Sequence, residues 1–70
     1  MIESGRKVVV IAEDDVLGPG WEREDVGVIT ETPHSRFNPT DWYEIAPVTG
    51  KGQDTILLTE EEFRALDSGI

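Results

Sequence analysis

Seventy residues allow one domain, and a chain of this size buries only about 60% of the surface its unfolded form exposes, so a deep catalytic cleft is hard to build. Fifteen acids stand against six bases, giving a net charge of −9, which disfavours direct binding to nucleic-acid phosphates and to anionic membranes. The absence of cysteine excludes disulfide staples and thiolate metal sites, and it suits a reducing, cytoplasmic setting. Two readings of the acids compete. They keep a small protein soluble, or they complement a basic partner surface.

Met1 to Arg6 reads as a flexible lead-in. Its apolar content is too short, and the acids that follow too close, for a signal peptide. No stretch approaches the ~20 apolar residues that a membrane span needs. Lys7 to Ala12 predicts the first strand, apolar without a break, as in a strand with little exposed face. The polar connection Glu13 to Asp25 holds two acidic clusters. Glu13, Asp14 and Asp15 form one; Glu22, Glu24 and Asp25, around Arg23, form the other. Between them, Val16, Leu17 and Trp21 argue that this loop folds back on the sheet. Val26 to Glu31 is the second strand, and Gly27 within it marks a bulge or bend. A second loop, Thr32 to Thr40, is stiffened by Pro33 and Pro39 and carries His34, Arg36 and Phe37.

Asp41 to Thr59 predicts a hairpin. Trp42, Tyr43 and Ile45 suit a half-buried pleated surface. Gly50 and Gly52 supply the turn, and Ile56 to Leu58 continues the return strand. Pro47 gives no ladder hydrogen bond and belongs at a strand end or edge. After Thr59, a capping box with Glu62, a staple of Leu58 on Phe63 and three first-turn glutamates predict a short C-terminal helix. Its Phe63 and Leu66 would seal one end of the barrel, with Gly69 as the stop and residues 67–70 as a tail. The fold class expected is therefore mainly β: a barrel of about four to five short strands with a short C-terminal helix.

No catalytic constellation stands out. His34 lies beside Ser35, but a nucleophile needs a base and an orienting group in space. Gly50-Lys51 lacks the first glycine and the Ser/Thr of a phosphate loop. Glu13-Asp14-Asp15 lacks the alternating ligands of a calcium loop. The chain is therefore expected to be non-enzymatic, with no cofactor and no metal.

The order of strands, a long first connection, a later tight hairpin and a closing helical turn resembles an SH3-like barrel. Asp41-Trp42-Tyr43-Glu44-Ile45-Ala46 looks like the segment that follows the second loop of SH3 domains, and Thr49-Gly50-Lys51-Gly52 looks like their distal turn. Val26-Gly27-Val28-Ile29 is also similar to the glycine-centred strand of KOW and related barrels. The resemblance implies a ligand groove at Trp42 and acids of the first loop that pair with basic ligand groups. The family's tyrosine motif after the first strand is replaced by Ile11-Ala12-Glu13. Its proline-plus-tyrosine motif before the last strand is replaced by Thr59-Glu60-Glu61-Glu62. Half the aromatic groove is thereby removed, which argues against a proline-peptide ligand.

The expectation is a small acidic interaction module or accessory protein. Its partner-binding residues would be Glu13, Asp14, Asp15, Trp21, Glu22, Glu24, Asp25, Arg36, Phe37 and Trp42, facing a protein with a basic surface. Each tryptophan has the plainer alternative of packing in the core. The alternative function is a nucleic-acid mimic that occupies a basic groove, as some phage-type inhibitors do. The chain is expected to be a monomer or a weak homodimer, with an exposed first strand open to pairing.

Overall fold

The computed structural model describes residues 2–13, 15–18, 20–48 and 54–66. Five antiparallel strands form a half-barrel: β1 (Lys7–Val10), β2 (Val26–Glu31), β3 (Tyr43–Pro47), β4 (Ile56–Leu58) and β5 (Phe63–Ala65). The sheet order is β4-β3-β2-β1-β5. The strands form where β-branched and aromatic residues alternate toward one interior. Val8, Val10, Ile29, Tyr43, Ile45, Leu58 and Phe63 point inward and are buried. Tyr43 meets Phe63 edge-on, with ring centroids 5.1 Å apart, a favoured aromatic geometry.

The predicted hairpin is present as the β3–β4 pair, with Tyr43 opposite Leu58 and Ile45 opposite Ile56. Its glycine-bearing turn lies outside the described residues. Pro47 ends β3 opposite Gly27, where a missing N–H matters least. Gly27 itself is not at a bulge. The register shift falls between Ile29 and Glu31, and Thr30 is the extra residue. Its Oγ1 donates to the Glu44 carboxylate at 2.7 Å.

The C-terminal helix is not formed. Glu60–Glu62 make a single 3-10 turn, and Phe63 is already extended at φ −152°. The Glu62 carboxylate does reach back to the Thr59 N–H, at 2.8 Å. Beyond it the chain pairs with β1, Val10 opposite Phe63 and Val8 opposite Ala65. A helix this short has too few internal bonds to compete with a ladder along an open strand. Period 2 then replaces the helical period. Phe63 is buried, whereas Leu66, expected to seal the barrel, is half exposed. The tail at 67–70 lies outside the described residues.

The pairing with β5 also corrects the expectation for the first strand. β1 is flanked on both sides, and the sheet edges are β4 and β5. Ile2, Gly5 and Arg6 contact the sheet. Ile2 packs against the core, Gly5 N–H donates to the Ile29 carbonyl at 2.6 Å, and Ile29 N–H donates to Arg6 at 3.0 Å. No helix among the described residues is long and apolar enough to cross a membrane.

Candidate functional site

The second loop, residues 32–42, is built around a residue that the sequence reading passed over. Asn38 is 4% exposed. Its Nδ2 donates to the carbonyls of Thr32 at 3.2 Å and Trp42 at 2.7 Å. Its Oδ1 accepts from the Thr40 hydroxyl at 2.5 Å and from the Thr40 N–H at 3.3 Å. One buried amide therefore joins both ends of the loop to its far side. The backbone adds His34 N–H to Thr40 at 3.0 Å and Asn38 N–H to Ser35 at 3.2 Å. Ser35 Oγ donates to the Glu31 carboxylate at 2.9 Å. His34, left-handed at φ 60°, brings Nε2 within 2.5 Å of Asp41 Oδ1 at the exposed rim. The signal for Asn38 was available: an Asn before Pro in a loop tends to hydrogen-bond nearby backbone.

What this scaffold presents is apolar. Phe37 is 75% exposed and Trp42 47% exposed. The Arg36 guanidinium stands 5.7 Å from the centre of the Phe37 ring, within cation–π range. Three of the expected partner-binding residues are thus gathered on one loop and its exit. The hydrogen bonds around Asn38 fix their backbone in advance, which lowers the ordering cost on binding.

The first loop behaves differently. Trp21, expected at the binding surface, stands in the core instead, 4% exposed, with Nε1 donating to the Asp54 carbonyl at 2.6 Å. An indole filling the space over Gly27 gains more from burial than from exposure. Leu17 also packs on the core, while Val16 is exposed. The loop is therefore folded back, as expected. Its acids form local contacts. Glu13 lies 3.7 Å from Arg23, and the Asp25 carboxylate accepts from the Glu22 N–H at 2.9 Å. Glu24 is left-handed at φ 77°, where its N–H donates to the Val10 carbonyl at 2.7 Å. Glu13, Asp15, Glu22 and Glu24 are exposed and Asp25 is half-buried. Asp14 lies outside the described residues. The contacts of these acids are local: Glu13 to Arg23, Glu22 to Asp25 and Glu24 to the end of β1, while Arg36, Phe37 and Trp42 belong to the other loop and its exit.

Among the described residues, no three His, Asp or Glu side chains come together as a metal site. Comparison with protein-family models, with curated proteins and with solved structures returns no match for this chain.

Proposed function

We propose that the chain is a small, non-enzymatic interaction module of SH3-like architecture. It binds a protein partner through the second loop and Trp42, and the first-loop acids steer a partner with a basic surface. The fold reading is supported by the strand order, the long first connection and the turn between the last two strands. The observation that carries the binding site is the exposure of Phe37 and Trp42 on a loop fixed by the buried Asn38. Aromatic side chains dominate interface hot spots, and charge sets association rate and partner choice.

The test is an affinity capture from host lysate at low and raised salt, with wild type beside Phe37→Ala, Trp42→Ala and charge reversal of Glu22 and Glu24. A partner held at raised salt by wild type and lost by the aromatic variants supports the reading. A basic nucleic-acid-binding protein, released by salt and indifferent to both aromatics, would replace it with the nucleic-acid mimic. Retention unchanged in every variant would remove the site assignment.

A further inference from the structure

An antiparallel sheet with one solvated face shows apolar residues inward and polar residues outward. This sheet does not. Between the buried positions of β1, β2 and β3 lie Val9, Val26, Val28 and Ala46, all directed to the outer face and all part-exposed. The register sets Val9 opposite Val26 and Val28 opposite Ala46, so the four form one patch across three adjacent strands. Val48 and Leu57 extend it, 47% and 44% exposed. Strands that are apolar on both faces belong to sheets covered on both faces.

The charges on this face are ordered. Lys7, on β1 opposite Val28, and Arg64, on β5 opposite Val9, lie on one flank. Glu44, on β3, lies on the other, and Glu31 faces it from the central strand β2. Two of the chain's six bases thus balance two acids here, on a molecule that carries −9 in all. We propose that this outer face is the interface of a homodimer, two copies stacking face to face about a two-fold axis that runs along β2. Such an axis sets β2 of one copy over β2 of the other, and the β1–β5 flank of each over the β3–β4 flank of its partner. Lys7 of each copy then lies over Ala46 of the other, one outward position along β3 from Glu44, and Val26 and Val28 pack at the centre. A self-complementary patch of this kind is what an isologous interface requires. On a chain of net charge −9 two copies repel in general, and a face whose bases and acids balance lowers that repulsion.

The test is sedimentation equilibrium of the full chain from about 1 μM to about 1 mM, a range that spans tight to weak association. A concentration-dependent dimer is expected. Val28→Lys should weaken it by about tenfold or more, with melting temperature and near-UV circular dichroism retained. Val48→Lys, beyond the end of β3, gives the same readout if the first variant does not fold. Lys7→Glu should weaken the dimer, and Glu44→Lys added in the same chain should restore it. A monomer throughout the range, or a dimer indifferent to both lysine substitutions, would overturn the proposal.

Discussion

The indole of Trp21 closes over Gly27: a Cβ on that glycine would lie 3.2 Å from the ring's Cη2, 2.5 Å from Ile45 Cγ2 and 2.9 Å from the Ala46 carbonyl oxygen. The first loop, β2 and β3 meet at this point, and the missing side chain is what lets them. Gly27→Ala should destabilise the fold by about 1–3 kcal/mol, the usual cost of overpacking. Urea unfolding of the variant beside wild type measures it. A change near zero would mean that β3 and the Trp21 ring do not approach Gly27 as closely as described.

The two tryptophans occupy opposite environments and can be read separately. With Trp42→Phe, the remaining Trp21 should emit at short wavelength and resist acrylamide. With Trp21→Phe, Trp42 should emit near the wavelength of a solvated indole and be quenched readily. Trp21→Ala should cost about 3–5 kcal/mol, the range for emptying a large aromatic site. Trp42→Ala should change stability by no more than about 0.5 kcal/mol, as surface substitutions do.

Asn38 is the strut of the second loop. Asn38→Ala strips donors from two carbonyls and an acceptor from Thr40, and should cost about 1–3 kcal/mol. Asn38→Asp keeps the acceptor and loses the donor, so an added oxygen faces the Trp42 carbonyl. It should be no more stable than the alanine variant. Thermal melts give both values. Amide exchange should quicken at Thr40 and Trp42, whose N–H groups the loop now holds.

Glu31 and Glu44 are direct cross-strand neighbours beside the bulge, and like charges so placed repel. Glu31→Gln retains the oxygen that accepts from Ser35 and removes one charge. It should stabilise the chain by about 0.2–1 kcal/mol, and the gain should shrink in high salt. Denaturant midpoints at two ionic strengths test both statements.

Much of the sheet could be read directly from the chain, because Val8, Val10, Tyr43 and Ile45 obey period 2 and carry strong β preference. The C-terminal element could not. Thr59, Glu62 and Leu58 write a valid helix start, and only the third dimension reveals that β1 has a free hydrogen-bonding side at that point. Long-range pairing overrode the local signal. The site divided in the same way. Phe37 and Trp42 look alike in sequence to Trp21, and the difference between them is the hole over Gly27, a consequence of packing. Asn38 is short, polar and ordinary in a loop until its four hydrogen bonds, to Thr32, Thr40 and Trp42, are seen together.

The β1–β5 ladder joins residues far apart in sequence, Val8 to Ala65 and Val10 to Phe63. Contacts so distant in sequence form late and slow the search, which places small barrels among the slower two-state folders. During synthesis, β1 emerges early and waits with one side unsatisfied until residues 63–65 leave the ribosome. A message truncated before Phe63 would strand it in that condition, offering an apolar edge to the next nascent copy. Three residues, Phe63, Arg64 and Ala65, are therefore the chain's own guard against premature self-association, and their loss should be seen first as inclusion bodies.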